Sequence, residues 1–100
     1  MAKQVIWSPR ALQDRKQILT HWTERNKSKA YSVKLDQLFR QAIHLIKEYP
    51  RIGKPTQDPG VRIKIVRDYL IFYEETSDSI VVLTIWDSRR DPSGLEGKIS

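Results

Sequence analysis

The chain has 100 residues, of which 39% are hydrophobic, so it is long enough for one domain with one core, spanning residues 1–100. Its formal net charge of +6 at pH 7 suits an acidic partner, either a nucleic acid or an acidic protein. The absence of cysteine excludes disulfides, thiolate nucleophiles and cysteine-ligated zinc. No stretch resembles a membrane span or a signal peptide, so we expect a cytoplasmic protein that makes no membrane contact.

The first half of the chain predicts a short strand and two helices. Gln4 to Trp7 alternates polar and apolar residues, and Ser8-Pro9 then supplies a helix N-cap followed by proline at the first helical position. The first helix should end near Asn26, and the second should run from Ser28 to Tyr49, before a proline. So short a joint predicts an antiparallel helical hairpin. Each helix carries one apolar stripe, made of Ala11, Leu12, Ile18, Leu19 and Trp22 in the first and of Tyr31, Leu35, Leu38, Phe39, Ala42, Leu45, Ile46 and Tyr49 in the second.

The second half predicts three strands after a loop at residues 51–60, which prolines and glycines interrupt. In the first strand Arg62 and Lys64 alternate with apolar residues, which predicts one buried face and one exposed basic face. The segments 69–75 and 80–86 follow, and the last is apolar on both faces, as a central strand would be. We therefore predict an α+β fold of order β-α-α-β-β-β, with the helical hairpin packed on one face of a twisted antiparallel sheet.

The sequence lacks the residue patterns that metal sites and several kinds of catalytic site require. His21 and His44 lie on polar sides of the helices, and neither has a second histidine at a metal-binding spacing, so surface histidines are the better interpretation. There is no nucleophile elbow and no glycine-rich phosphate loop. The adjacent Glu74 and Glu75 face opposite ways on a strand and cannot share a substrate. We expect no metal and no cofactor.

The basic residues of the strands are the candidates for binding an anion. Arg62 and Lys64 should lie about 7 Å apart on one face, close to the spacing of phosphates along a nucleic-acid strand. Arg89 and Arg90 follow the last strand, where they could converge with Tyr69, Tyr73 and Trp86 on a nucleic acid with stacked bases. Two alternatives stay open. The basic face could simply be solvated, or Trp86 could belong to the core while the two arginines pair with Asp87 and Asp91.

The sequence also resembles the RelE/ParE superfamily of toxins from bacterial type II toxin–antitoxin modules. The similarity extends from about Val5 to Leu95, and no single motif in it is specific, but the order and spacing of the motifs are. The matching segments are the opening VIWSPRALQD (5–14), YPRIGKP (49–55), Val61-Arg62, DYLIFY (68–73), and IVVL (80–83) leading to Arg89-Arg90-Asp91. The resemblance implies a small cytoplasmic toxin that a cognate antitoxin, through an acidic segment, holds inactive.

The superfamily contains toxins that cleave mRNA on the ribosome and toxins that inhibit DNA gyrase without catalysis. For the first kind, the resemblance implies Arg62, Lys64 and Arg90 as catalytic residues that act on the phosphate. The residues expected to contact the nucleic acid are Arg67, Tyr69, Tyr73 and Arg89.

Two departures favour the second kind of toxin. Leu70 stands where RNA-cleaving members carry an arginine, and residues 88–100 lack their late tyrosine or histidine. Asp87 is the remaining candidate base. Growth arrest by ribosome-dependent cleavage of mRNA nevertheless stays the first prediction, with non-enzymatic inhibition of DNA gyrase as the alternative and a binding module without toxicity as a third hypothesis.

Overall fold

The computed structural model describes residues 3–90, which form two helices and a five-stranded sheet. The elements are β1 (Gln4–Trp7), α1 (Pro9–Asn26), α2 (Ala30–Glu48), β2 (Lys54–Pro55), β3 (Val61–Val66), β4 (Tyr69–Glu75) and β5 (Ser79–Asp87). The sheet order β1-β5-β4-β3-β2 places β5, β4 and β3 inside the sheet and leaves β1 and β2 at its edges. Neither helix in the described part of the chain has the hydrophobicity of a transmembrane span.

The predicted α+β class is confirmed, together with the order of the predicted elements, but the sheet is mixed rather than wholly antiparallel. The strands from β2 to β5 pair antiparallel, whereas β1 pairs in parallel with residues 79–82 of β5. Alternation of polar and apolar residues identifies a strand but carries no information about its direction. The structure also adds β2, which is only two residues long and lies in the proline-containing loop.

The core lies between the helices and the sheet. Its centre consists of Leu35, Phe39 and Ile46 from α2 and of Ile71, Tyr73, Ile80 and Val82 from the sheet. The predicted stripe residue Leu12 is instead 50% exposed. It follows the fully buried Ala11, and successive helical residues are rotated by about 100°, so both cannot face the core equally.

Residues at the start of α1 form hydrogen bonds with β5 in addition to capping the helix. Ser8 has an extended backbone (φ −64°, ψ 157°), and its Oγ accepts a hydrogen bond from the Ala11 N–H at 3.0 Å, as an N-cap does. The same hydroxyl donates to the Leu83 carbonyl at 2.8 Å. One helical turn further, the Asp14 carboxylate accepts from the Ile85 N–H at 3.2 Å and from the Thr84 hydroxyl. These contacts occupy the edge of β5 beyond the point where β1 ends.

We expect Ser8→Ala to lower the free energy of unfolding by about 2 kcal/mol, because it removes a helix cap and leaves the Leu83 carbonyl without its donor. Urea unfolding followed by circular dichroism measures this. The matched control is Ser77→Ala in the exposed β4–β5 turn, which should change stability by less than about 0.5 kcal/mol. Equal effects from both substitutions would show that Ser8 does not tie α1 to the sheet.

Candidate functional site

The register between β3 and β4 determines which way the basic side chains of β3 point. Arg62 pairs with Tyr73 and Lys64 pairs with Ile71, and both partners belong to the core beneath the helices. Directly paired residues in antiparallel strands share a face, so Arg62 and Lys64 lie on the helix side. Ile65, predicted to be buried, is 53% exposed on the opposite face. The predicted orientation is therefore wrong: alternation separates the two sets of side chains but cannot say which set faces the helices.

Arg62 contacts the loop before β2. Its Nη1 donates to the Gly53 carbonyl at 2.7 Å and more weakly to the Arg51 carbonyl at 3.3 Å. Tyr73 holds the same loop, because its hydroxyl accepts from the Gly53 N–H at 2.9 Å and donates to the Pro50 carbonyl at 2.8 Å. Arg62 and Tyr73 thus clamp residues 50–53 onto the sheet.

The clamp requires glycine at position 53. A Cβ on Gly53 would lie 2.6 Å from the Tyr73 hydroxyl oxygen and 2.8 Å from the Ile63 carbonyl oxygen, closer than such atoms can approach. Tyr73 is fully buried, and burial raises the pKa of its hydroxyl although the Gly53 N–H opposes that shift. The predicted role of Tyr73 in stacking on a base is therefore corrected, since the ring has no accessible face.

The predicted catalytic residues are not brought together. Arg62 lies near the start of β3, whereas Val66 at its end pairs with Tyr69, which in turn pairs with Asp87 beside Arg90. Four residues of strand separate Arg62 from Val66, or about 13 Å. Lys64 lies between them, in a shallow groove against α2 with Leu38, Ala42 and Leu45. Arg62 therefore lies about 13 Å along β3 from the end of the sheet that carries Arg90, and its guanidinium is hydrogen-bonded to the Gly53 carbonyl.

A cleft of about 260 Å³ opens instead at the other end of the sheet, between α1 and the ends of β4 and β5. It is lined by Asp14, Gln17, Ile18, His21, Tyr69, Ile85, Asp87 and Arg90. His21, interpreted from the sequence as a surface histidine, thus shares a cleft with Arg90 and with three further titratable side chains. The four lining residues from α1 have an i, i+3, i+4, i+7 spacing, which places them on one side of the helix. This spacing is the sequence feature from which their shared surface can be predicted.

Tyr69 reaches this cleft from the core. Only 3% of the residue is exposed, its ring lies edge-on to Phe39, and its hydroxyl accepts a 2.6 Å hydrogen bond from the Trp22 Nε1–H. Burial raises the pKa of Tyr69 against the opposing effect of the Trp22 hydrogen bond, so the hydroxyl is neutral at pH 7. With so little of the residue exposed, the ring is not accessible for the predicted stacking on a base.

Arginines and tryptophans surround the mouth of the cleft. The guanidinium carbons of Arg10 and Arg90 lie 6.0 and 5.8 Å from the ring centre of Trp86. Those of Arg25 and Arg89 lie 5.6 and 6.0 Å from the ring centre of Trp22. Contacts at this distance are attractive, because a cation interacts with the negative face of the ring. We call these six residues the Arg–Trp surface.

The Asp87 carboxylate is hydrogen-bonded to the side chain of Arg89. Arg89 donates to both carboxylate oxygens, at 3.0 and 2.9 Å, and this hydrogen bonding lowers the pKa of Asp87 although partial burial opposes it. The same pair raises the pKa of Arg89. A carboxylate whose pKa is lowered is a weaker general base at neutral pH. The predicted pairing of Arg89 with Asp87 is present, whereas Asp91 lies outside the described residues.

Arg67, another predicted nucleic-acid contact, occupies the turn between β3 and β4. It is exposed and has a left-handed backbone (φ 56°), which is uncommon for a residue with a side chain. The turn adjoins the end of β5, because the Ser88 N–H donates to the Asp68 carbonyl. Arg67 therefore lies at the same end of the sheet as Arg89 and Arg90.

Comparisons with known proteins agree with this fold. A model of the family described as the ParE toxin of type II toxin–antitoxin systems, parDE, matches residues 5–92. A chain from the chromosomal ParDE toxin–antitoxin system of P. aeruginosa is similar in structure, with a TM-score of 0.73 at 18% identity, over 84% of this chain and 94% of that one. A double arginine-to-alanine mutant of E. coli toxin RelE in the free state gives a TM-score of 0.72 at 15% identity, over 99% of this chain and 95% of that one. No curated protein matches the sequence.

We expect Tyr73→Phe to lower the free energy of unfolding by about 1–3 kcal/mol near neutral pH, because the buried Gly53 N–H loses its acceptor. The difference from the parent should shrink above pH 10. There, tyrosine ionises in the unfolded chain, whereas burial keeps Tyr73 protonated in the folded one, so the parent loses stability that the variant cannot lose.

Urea unfolding of both proteins at about pH 8 and about pH 10.5 measures the two differences. Tyr49→Phe is the control, since Tyr49 is 63% exposed. A difference between the parent and Tyr73→Phe that stays constant with pH would contradict the role given to the Tyr73 hydroxyl.

Proposed function

Because the chain belongs to the ParE toxin family of type II toxin–antitoxin systems, we propose that it arrests bacterial growth by binding DNA gyrase without catalysing a reaction. A cognate antitoxin holds it inactive. The observation that carries the proposal is the division of the basic side chains between two ends of the sheet, with Arg62 committed to the loop at one end and Arg90 at the other.

RNA cleavage by general acid–base chemistry requires a phosphate-binding cation and a proton-transfer group within hydrogen-bond reach of one substrate. Arg62 uses its guanidinium on backbone carbonyls, and the proton affinity of Asp87 is lowered by Arg89. The sequence also lacks the late tyrosine or histidine of RNA-cleaving members. These three features support a toxin that acts by binding.

The Arg–Trp surface is the proposed contact with gyrase. Tryptophan and arginine are the residues most enriched among those that dominate protein–protein binding energy. Stacking on Trp22 and Trp86 restrains the guanidinium groups before binding, which lowers the entropy lost on contact. The net charge of +6 suits an acidic partner surface and speeds the encounter with it.

One observation favours a second candidate, ribosome-dependent mRNA cleavage. His21 shares the cleft with Arg90, so an imidazole and a guanidinium are available on one side of the sheet. In that case Arg90 would bind the scissile phosphate and His21 would transfer the proton, in place of the missing late residue.

The two candidate functions predict different results in two assays. Gyrase inhibition predicts that the purified chain stops supercoiling of relaxed plasmid and leaves ribosome-bound mRNA intact. Both are measured directly, by gel mobility of the plasmid and by mapping mRNA 5′ ends after induction. New mRNA ends that disappear in His21→Ala, with supercoiling unaffected, would overturn the gyrase proposal and support cleavage.

Variants of arginines at opposite ends of the sheet test the proposed contact. We expect Arg90→Glu to weaken inhibition of supercoiling on the order of tenfold or more, as loss of an interface anchor does. Arg51→Glu, an equal charge change at an exposed position of the loop clamped by Tyr73, should leave inhibition within about twofold. Equal losses from both would indicate a general charge effect. Retained inhibition in Arg90→Glu would exclude the Arg–Trp surface.

A further inference from the structure

Arg89 and Arg90 are adjacent in the sequence, yet their guanidinium groups lie over different tryptophans of the Arg–Trp surface. Arg89 lies 6.0 Å from the ring centre of Trp22, and Arg90 lies 5.8 Å from that of Trp86. The backbone alone does not fix the direction of a long, exposed side chain, because several rotamers are open to it. Contacts of residues 87–90 must therefore separate the two guanidinium groups.

The Asp87 carboxylate accepts three hydrogen bonds from Arg89. The side-chain Nε and Nη2 donate to its two oxygens at 3.0 and 2.9 Å, and the backbone N–H donates to Oδ1 at 2.9 Å. The backbone around this pair is also fixed, since the Arg90 N–H donates to the Asp87 carbonyl and the Ser88 N–H donates to the Asp68 carbonyl. A contact to both carboxylate oxygens defines the plane and the direction of a guanidinium group.

Trp22 is held by the framework of the protein as well as covered by Arg89. Its indole N–H donates to the Tyr69 hydroxyl at 2.6 Å, and its ring lies edge-on to Tyr31 with the ring centres 5.0 Å apart. Tyr69 pairs directly with Asp87 across β4 and β5, so these two residues share one face of the sheet. One pair of facing residues thus holds both the indole and the arginine that lies over it.

The arginines over Trp86 are held less closely. Arg10 lies 3.8 Å from the Asp14 carboxylate, which is too long for a hydrogen bond. The side chain of Arg90 forms no ion pair with any residue in the range 3–90. Arg90 can therefore bind a carboxylate of a partner, whereas the guanidinium of Arg89 is already bound to one.

We propose that Asp87 is a positioning residue of the Arg–Trp surface, which holds Arg89 across the ring of Trp22. The target then meets an indole and a guanidinium that are ordered before binding, so less rotamer freedom is lost on contact. Arg90, in contrast, contacts an acidic group of the target directly. This inference rests on the proposed function as an inhibitor that acts by binding gyrase. It adds opposite roles for two adjacent arginines and a role for an acidic residue on a basic surface.

Electrostatics alone predicts the reverse effect of Asp87. An exposed ion pair contributes little to the stability of a fold, and 54% of the Arg89 side chain is exposed. Removing a carboxylate from a basic surface strengthens its attraction to an acidic partner. A positioning role predicts weaker binding from the same change, so the two explanations differ in sign.

The substitution Asp87→Asn in the full-length chain tests this difference in the supercoiling assay. Asparagine keeps one side-chain oxygen for the Arg89 backbone N–H but loses the charge and the second carboxylate oxygen. We expect the concentration that gives half-inhibition to rise about fivefold, as when one long side chain must be ordered on binding. Inhibition that is unchanged or stronger in Asp87→Asn would overturn the proposal.

The matched control is Asp68→Asn. Asp68 is exposed in the neighbouring turn, and its charge also acts on Arg89, but its side chain forms no hydrogen bond to that arginine. The control should lower the concentration for half-inhibition or leave it within about twofold, since the variant is more basic. Equal losses of inhibition in the two variants would contradict a specific role for Asp87.

A double variant shows whether Asp87 acts through Arg89. In an Arg89→Ala chain, adding Asp87→Asn should change half-inhibition by less than about twofold, because the group that Asp87 positions is gone. Arg89→Lys should weaken inhibition about as much as Asp87→Asn, since lysine cannot contact both carboxylate oxygens in one plane. Losses that add fully in the double variant would overturn the proposal.

Nuclear magnetic resonance of the isotope-labelled chain tests the positioning role without gyrase. We expect the parent to show an Arg89 Nε–H signal protected from exchange with water. Asp87→Asn should remove that protection and shift the indole N–H signal of Trp22 more than that of Trp86, whereas Asp68→Asn should do neither. Unchanged Arg89 and Trp22 signals in Asp87→Asn would overturn the positioning role, whatever the supercoiling assay shows. The expected changes in a chain that does not inhibit gyrase would support the positioning role and overturn only the proposed function.

Discussion

The arrangement of the molecule depends on how α1 completes the edge of β5 that β1 leaves uncovered. β1 pairs with β5 only at residues 79–82, so the second half of β5 has no strand neighbour on that side. Ser8 and Asp14 supply the missing hydrogen bonds from α1, to the Leu83 carbonyl and the Ile85 N–H. Because unpaired backbone groups in a buried position are costly, these contacts fix where α1 crosses the sheet. His21, about two turns beyond Asp14 along α1, is thereby placed beside Tyr69 and Arg90.

Features of the fold that depend on residues adjacent in the sequence could be predicted, whereas features that depend on how distant strands pair could not. Ser8-Pro9 identifies the start of α1, because capping is a local interaction that the sequence encodes directly. The parallel direction of β1 depends on where the chain returns after α2, which is a long-range property. The orientation of β3 likewise depends on its register with β4, so Arg62 and Ile65 were assigned to the wrong faces.

The same distinction explains what could be predicted of the site. Asp87 and Arg89 are two residues apart, and the sequence offers their pairing as one alternative. The proximity of His21 to Arg90 depends instead on which side of α1 faces the sheet and on where α1 crosses it, and neither can be predicted from neighbouring residues. Tyr69 and Tyr73 were predicted as stacking residues because tyrosine serves both in recognition and in cores. Their hydroxyl groups instead accept hydrogen bonds from Trp22 and Gly53, which makes both tyrosines part of the framework.

Residues that line the cleft therefore divide into two kinds, and the division affects how any loss of activity must be interpreted. Asp14 and Tyr69 have hydrogen bonds to β5 and Trp22 that hold the fold, so substituting them changes α1 as well as the cleft. His21 and Arg90 are exposed, and no hydrogen bond within residues 3–90 commits their side chains to the framework. The surrounding structure can tolerate their replacement, since exposed substitutions away from caps and networks change stability little. A change in activity at His21 or Arg90 therefore reports on contact with the target, whereas one at Asp14 requires a measurement of stability alongside it.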